Sequence, residues 1–491
     1  MFQILEEKYN KTFLRTRNGF QHSSGTTSIF FPFATDTTGI NDTTSTLKDF
    51  KSISAAIHRN WTNTEINLPD LPEEIIQEII ESVNTKEKNQ LKDIIKNLIF
   101  DEKGNLVIFQ NSIIPFIKRN EKNAKISNLI AFLFHLFDGP DFSKNINNCL
   151  SNNNNTNTLY TLISGYLNSK VKDVPSVPLK NSYFHGEINT RVKQLFQKDY
   201  LLLSKNEDLF KRNVHQLFRY YYFLYIQLLA FEFNESITNT SKTKLFFSLE
   251  WEKLSQSRLA VDSGYKKLEA IITDIFSHSN CLEMLNTIDF SEKLCDQIVV
   301  YKDLISLYEN CSENQILELE ASLNKLLTRY LNAIEKNEKD KGRSFNWQTD
   351  SAIAALQTNS DSPDPQGVKI IRKLFYAIRY QFEKSGRKGP NAAFSTWYKT
   401  FVQLNFVKIR GRLGSTLSLS KDYLLLFTEL AILGTGKDKI LLTALWEELE
   451  IRGIHLDNQS RQEATLYFQK INALEKKSDS GDAQYVTKMH K

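Results

Sequence analysis

The sequence predicts a mainly α-helical protein, with a multi-helix body and a small winged-helix-like domain at the C-terminal end. Gly and Pro are scarce, at 18 and 10 of 491 residues, and long helices tolerate few of either. Phe and Tyr are abundant, at 33 and 19, and can fill a large core. Residues 417–491 carry three short helical segments followed by a hairpin, which is the order of a winged helix.

Five regions are predicted along the chain. Residues 1–150 are mostly helical with some irregular or strand-forming segments, and residues 159–336 form a helical domain. Residues 337–367 are polar, contain two prolines and indicate a linker. Residues 368–416 form a basic helical segment, and residues 417–491 form the winged-helix-like domain.

Local signals place several helix boundaries. Ser312 with Gln315 forms a capping box at the start of one long helix. Pro390 occupies the first position of another helix, because proline has no backbone N–H to lose there. Ser420 caps the first helix of the C-terminal domain, and Gly453 ends the second.

The C-terminal domain is predicted to contain helices over 420–433, 439–452 and 459–474. Two strands follow, over 475–478 and 483–488, and they flank a turn with the sequence DSGD.

The most apolar stretch, residues 220–231, is predicted to be a core helix. It has 12 residues, short of the roughly 20 that a membrane helix needs. Four consecutive aromatics, Tyr220 to Phe223, point all round a helix, so most must be buried.

The cysteines Cys149, Cys281, Cys295 and Cys311 lie far apart and form no CxxC pair, which predicts buried thiols in a reducing compartment. The acidic N-terminus lacks the features of a signal peptide. Together these observations predict a cytoplasmic protein that does not contact a membrane.

No catalytic constellation stands out, so we expect no enzyme activity, cofactor or metal. Gly434-Thr435-Gly436-Lys437 resembles the end of a phosphate-binding loop, but Asp438 replaces the required Ser or Thr. The eight histidines show no HxxxH or HxH spacing.

A metal-dependent nuclease is a less favoured alternative. It would use the acids Asp70 and Asp101 and the base Lys103, because these reproduce the local spacing of such a site. Asp101 lies in a predicted turn, however, and Asp70 is typical of a helix cap.

Charge is concentrated near the C-terminus. The formal net charge is +5, and residues 384–491 hold 17 basic and 11 acidic residues. The stretch 384–421 contains no acid at all and has eight basic residues, which are Lys384, Arg387, Lys388, Lys399, Lys408, Arg410, Arg412 and Lys421. Such a surface attracts phosphate, so we expect these residues to bind DNA. A patch for an acidic protein partner and a solvated basic face are the alternatives.

The C-terminal hairpin gives mixed signals. Lys476 and Lys477 on its first strand and Arg461 on the third helix are further candidates for phosphate contact. The tip carries Asp479 and Asp482, which a phosphate would repel. The tip therefore predicts a protein contact, made by Asp479 and Asp482 with Tyr485.

At three places the sequence resembles the DptG family, a subunit of DNA phosphorothioation-dependent restriction systems. The clearest is EKKSDSGDAQYV at 475–486, and the second is RGRLG at 410–414. The third is LEWEK at 249–253 with Ser255, Ser257 and Arg258.

The resemblance implies a bacterial defence role against DNA that lacks the modification, in a complex with ATP-using partner proteins. It supplies no catalytic residues. The expected function is a non-catalytic subunit that associates with DNA, with partner ATPases, or with both. An assembly scaffold without DNA contact and the metal-dependent nuclease remain as alternatives.

Overall fold

The structure is a computed structural model of the chain. It describes residues 2–16, 19–22, 29–83, 86–102, 104–117, 123–151, 157–175, 186–238, 243–294, 297–340, 363–384, 388–476 and 484–489. Helices dominate these residues, so the prediction of a mainly α-helical, multi-helix protein is confirmed.

The first half of the chain contains ten α-helices in its described residues. They are α1 (Glu6–Thr12), α2 (Thr44–Asp49), α3 (Lys51–Thr62), α4 (Pro72–Glu81), α5 (Lys88–Ile99), α6 (Ala124–Phe137), α7 (Pro140–Ser151), α8 (Thr158–Ser169), α9 (Glu187–Leu203) and α10 (Glu207–Thr238).

The second half begins with short helices and ends with longer ones. In chain order they are α11 (Leu259–Asp262), α12 (Tyr265–Ile272), α13 (Ile275–Leu285), α14 (Ser291–Leu294), α15 (Tyr301–Asn310), α16 (Glu313–Asp340), α17 (Gln366–Lys384), α18 (Lys388–Phe406), α19 (Lys421–Thr435), α20 (Leu442–Ile451) and α21 (Asn458–Lys470).

The strands form small sheets. They are β1 (Phe13–Thr16), β2 (Gly19–His22), β3 (Thr64–Ile66), β4 (Val171–Asp173), β5 (Phe246–Leu249), β6 (Val407–Ile409), β7 (Ser415–Leu419), β8 (Lys439–Leu441), β9 (His455–Leu456), β10 (Leu474–Lys476) and β11 (Gln484–Thr487).

Two of these sheets involve the C-terminal third. One has the order β6-β7-β5-β9, in which β5 runs parallel to both β7 and β9 while β6 and β7 form an antiparallel hairpin. The other is antiparallel, with the order β10-β11-β8. The strand β5, from the middle of the chain, thus joins the body to the C-terminal part.

The predicted helix boundaries hold at three of the local signals. Ser312 donates its N–H to the Gln315 side chain at 3.0 Å, just before α16. The Ser420 hydroxyl accepts from the Tyr423 N–H at 3.3 Å and caps α19. Pro390 lies in the first turn of α18, which begins two residues earlier than predicted, at Lys388.

The C-terminal part differs from the prediction in several elements, and its winged-helix-like character stays a prediction. The predicted helix over 439–452 is the strand β8 followed by the helix α20, because Ile440 pairs with Val486 of the hairpin. The third helix ends at Lys470, before Asn472 takes a positive φ of 56°. The strands β10 and β11 overlap the two predicted strands, although β10 begins at Leu474, within the predicted third helix. The turn between them lies outside the described residues.

The helix α10 lies at the centre of the main core. Tyr220, Tyr221 and Phe223 are 0% exposed and Tyr222 is 3% exposed, so the prediction that this aromatic run is core is confirmed. The same core contains residues from Phe2 to Val486. No helix in the described part of the chain is long and apolar enough to cross a membrane.

A second, smaller core lies beside the first. It contains apolar residues from Leu68 to Leu167, contributed by α4, α5 and α8 and by the 3-10 helix Asn111–Phe116. This core takes residues from both sides of the predicted boundary between 150 and 159. The division into five regions stays a prediction. Cys149 and Cys281 are buried free thiols as predicted, Cys311 is half-buried, and Cys295 lies outside the described residues.

A buried ion pair fixes the C-terminal part against the body. Arg452 is 1% exposed and donates two hydrogen bonds of 2.7 Å to Asp199 of α9, which is 0% exposed. The Tyr221 hydroxyl donates to the same carboxylate at 2.7 Å, and the Tyr220 hydroxyl donates to the Arg452 carbonyl at 2.6 Å. Gly453 follows with φ +79°, where a Cβ would lie 2.6 Å from Leu224.

We expect Asp199→Ala to lower the free energy of unfolding by about 3 kcal/mol, because it removes the buried carboxylate that pairs with Arg452 and leaves that guanidinium only the half-buried Glu448, at 2.6 Å. Chemical denaturation measures the effect. Glu7→Ala breaks an exposed pair with Lys11 and serves as the control, with an unchanged midpoint expected. Equal midpoints for both variants would contradict the structural role of the pair.

Several histidines are buried in the neutral form. The Nδ1 of His58 lies 2.6 Å from the Ser54 carbonyl, so it carries the proton, and its Nε2 then accepts from the Tyr200 hydroxyl at 2.8 Å. Burial lowers the pKa of His58 to about 4. Burial also lowers the pKa of His278, whose Nε2 has no hydrogen-bond partner in the described structure, to about 3.

The stability of the protein should therefore fall as the pH drops below about 6.5, since the unfolded chain then binds protons that the folded chain excludes. His278 stacks on Phe375 with 4.3 Å between ring centroids, so His278→Phe keeps the ring and removes the titration. Between pH 6.5 and pH 4.5, we expect the free energy of unfolding of this variant to fall by about 2–3 kcal/mol less than that of the wild type. Denaturant midpoints at the two pH values test this, and parallel losses would refute it.

Candidate nucleic-acid interface

The acid-free stretch 384–421 ends in a hairpin that projects from the protein. β6 is the edge strand of its sheet and pairs with β7, with Lys408 opposite Thr416 and Ile409 opposite Ser415. The tip is the 3-10 helix Gly411–Leu413, closed by a hydrogen bond of 2.8 Å from the Arg410 N–H to the Gly414 carbonyl. A Cβ built on Gly411 or Gly414 would meet no atom within 4 Å, so open space surrounds the tip.

Arg410 clamps the base of this hairpin to the body. Its guanidinium donates to the Leu249 carbonyl at 2.7 Å and to the Glu252 carbonyl. It also donates to the hydroxyls of Ser248 at 3.3 Å and Ser418 at 3.4 Å. Burial lowers the pKa of Arg410, while Glu252 and Glu250 oppose that shift. The guanidinium of Arg410 is thus bonded to the protein's own acceptors, and its role as a phosphate ligand stays a prediction.

The segment 249–258 continues into a buried polar network with α21. Arg258 is 7% exposed and donates to Asp457 at 2.6 and 2.8 Å, to Ser460 at 2.8 Å and to Glu252 at 3.2 Å. Glu252 in turn accepts from the Ser460 hydroxyl at 2.8 Å and from the Leu249 N–H at 2.7 Å. Asp457 is also the N-cap of α21, so this network fixes where α21 begins.

A group of exposed lysines and half-buried aromatic side chains lies beside this network. The Trp251 and Tyr467 rings are 5.0 Å apart between centroids, and the Lys421 ammonium lies 5.7 and 5.3 Å from them. Lys408 extends from β6 to the Glu250 carbonyl. We call Trp251, Lys408, Lys421 and Tyr467 the basic-aromatic face. Basic groups interleaved with aromatic rings suit nucleic acid, because rings stack on bases and cations meet phosphates.

The sequence located only the lysines of this face. Trp251 and Tyr467 are separated by more than two hundred positions, and no spacing rule relates them. Trp251 lies in the LEWEK segment, 249–253, and nothing in the sequence besides the resemblance to the DptG family singles this segment out.

The other predicted phosphate ligands are distributed differently. Lys399 donates to the Thr273 hydroxyl at 3.0 Å and lies 3.9 Å from Glu269. Arg461 donates to the Leu456 carbonyl at 3.0 Å and pairs with Glu450. The side chains of Lys399 and Arg461 are thus bonded to other elements of the protein. Lys388, Arg412 and Lys476 are exposed, and no ion pair or hydrogen bond of their side chains occurs among the described residues.

The remaining candidates are only partly described. The side chain of Lys384 and all of Arg387, Lys477, Asp479 and Asp482 lie outside the described residues. Tyr485 lies on β11 opposite Leu441, where its ring is 5.4 Å from the Lys439 ammonium. Its predicted part in a protein contact stays a prediction.

No group of three or more His, Cys, Asp or Glu that could hold a metal ion occurs among the described residues. Asp101 accepts from the Asn105 N–H at 2.8 Å and closes its turn, as predicted. The turn packs close to Pro72, where a Cβ built on Gly104 would lie 3.2 Å from that ring, and Lys103 lies outside the described residues.

A cleft of about 400 Å³ lies between β5 and α21, bordered by Lys244, His455 and Arg461. Its two buried charges, Arg258 and Asp457, already neutralise each other.

Neither a family model nor a curated protein matches this chain.

Arg410→Ala should loosen the hairpin without exposing new charge. We expect the free energy of unfolding to fall by about 2–3 kcal/mol, because several buried acceptors lose their donor. Limited proteolysis should cut within 411–414 sooner than in the wild type. Arg412→Ala is the matched control, since its side chain is exposed, and equal stability and cleavage rates in both variants would argue against the clamp.

Proposed function

We propose that this chain is a non-catalytic, DNA-associated subunit of a DNA phosphorothioation-dependent restriction complex, acting with partner ATPases in the bacterial cytoplasm. One observation carries the proposal. Two of the segments that resemble the DptG family, 249–258 and 410–414, contact each other directly through Arg410. Segments so distant in sequence meet in one structural unit, which supports a shared architecture.

The proposed DNA contact is the basic-aromatic face together with Arg412 and Lys388. These groups belong to the stretch 384–421 or pack against it. Glu250 and Asp422 are exposed nearby, so the attraction depends on a few positioned cations and stacked rings.

An assembly scaffold without DNA contact is the second candidate. It is favoured by the number of basic residues that serve the protein interior, namely Lys399, Arg410 and Arg461. Deletion of the residues after Leu417 would not test this candidate. Residues such as Leu419, Tyr423 and Phe427 belong to the main core, so the deletion would unfold the protein.

The charge-reversed variant Lys388→Glu, Arg412→Glu, Lys421→Glu tests the DNA contact. We expect the wild type to bind a duplex with an affinity that falls on the order of 10²-fold between 50 and 200 mM salt, as for about four phosphate contacts. The variant should lose measurable binding at 150 mM salt and keep its circular dichroism spectrum. Fluorescence anisotropy with a labelled duplex gives both results.

The matched control is Lys88→Glu, Lys92→Glu, Lys96→Glu, which makes the same charge change on the exposed face of α5. Its affinity should stay within about 3-fold of the wild type, because it alters net charge and not the proposed contact. Equal losses of DNA affinity in both variants would show that net charge alone explains the binding. Unchanged binding in the first variant, with partner proteins still co-purifying, would favour the scaffold.

A further inference from the structure

We propose that Ile409 is an apolar wedge that enters a base step of duplex DNA from the minor groove. This inference rests on the proposed DNA contact and specifies how that contact is made. In this proposal the hairpin of β6 and β7 deforms the duplex, and the basic-aromatic face provides the affinity of the protein for DNA.

The exposure of Ile409 is unusual for its position. The side chain is 79% exposed, more than any other large apolar side chain in the described part of the chain. Its neighbour in the strand, Val407, packs against the core. The two residues share one face of β6, since side chains alternate along a strand. The edge strand thus begins in the core and carries an isoleucine into solvent at its far end.

The hairpin is held rigidly behind this side chain. Arg410, the next residue, fixes the base through the carbonyls of Leu249 and Glu252. Lys408, the preceding residue, reaches the Glu250 carbonyl on the same side. Lys408 and Arg410 both reach the body, and the alternation of side chains along a strand places Ile409 on the opposite face of β6. A wedge needs such a support, because a side chain on a mobile loop would fold back rather than separate two bases.

Charge decides which partner fits this tip. Arg412 is exposed at the turn, and residues 384–421 contain no acid. Open space surrounds Gly411 and Gly414, so the tip can approach a narrow groove closely. Proteins that bend DNA from the minor groove combine an inserted isoleucine, leucine or phenylalanine with nearby Arg or Lys. The alternative partner is a peptide that pairs with the edge strand β6. Such a peptide would bind through backbone hydrogen bonds and would not need the Arg412 cation at the tip.

The test uses the full chain and a duplex of about 30 base pairs with 2-aminopurine beside a central TA step, a step that unstacks easily. Wild-type protein should raise the 2-aminopurine fluorescence at least about 2-fold and bring dyes at the two duplex ends closer together. Ile409→Ala should lose both signals and keep its Kd within about 3-fold. The wedge both costs unstacking and gains contact, so its net effect on affinity is small.

Two variants sharpen the comparison. Ile409→Met should retain both signals, because an unbranched apolar side chain can still enter the step. Leu317→Ala removes another exposed apolar side chain, on α16, and should behave as the wild type. Since Ile409 lies outside the core, circular dichroism should not distinguish any of these proteins.

The outcomes separate the wedge from the proposed function. Salt-dependent binding by the wild type without unstacking or bending would overturn the wedge and leave the DNA contact standing. Absence of binding would overturn both. Unaltered unstacking by Ile409→Ala would also reject the wedge. So would loss of a co-purifying protein partner by that variant with no change on DNA, which would assign the β6 edge to strand pairing.

Discussion

The fold depends on covering the middle of α10, residues 220–231, where buried side chains surround the helix axis. Tyr220, Tyr221 and Phe223 point in different directions and are all fully buried, so other elements must surround them on every side. Two of these side chains also carry hydroxyls that need acceptors in the interior. Asp199 and the Arg452 carbonyl supply the acceptors, and Asp199 binds the Arg452 guanidinium as well. The C-terminal part therefore packs directly against α10 and contributes to the same core.

Local chemistry explains what the sequence could predict. Ser312, Pro390 and Ser420 act within one turn of a helix, and all three lie where the sequence predicted a helix start. The strands β5, β8 and β9 were not predicted, because they have two to four residues and gain their hydrogen bonds from distant partners. Ile440 illustrates the difference: helical spacing fits residues 439–452, and only the pairing with Val486 shows that the first three residues are a strand.

The candidate site was harder to predict than the fold, because a stretch without acidic residues can still fold against acidic residues from distant parts of the chain. Lys399 meets Glu269, and Arg410 lies against the carbonyls of the 249–252 segment. Both partners come from regions more than a hundred residues away. Counting charges along the chain could not separate the cations that bond to the protein itself from the exposed ones, such as Arg412.

The segments that carry the resemblance bear on architecture more than on chemistry. Glu252 and Arg258 join Asp457 in the buried network, and Arg410 anchors the hairpin beside it. These residues position α21, the basic-aromatic face and the hairpin tip relative to one another. A protein with the same segments would present its own surface residues in the same arrangement. Among the residues that this framework leaves exposed, Ile409 and Arg412 lie within or beside the segments that carry the resemblance.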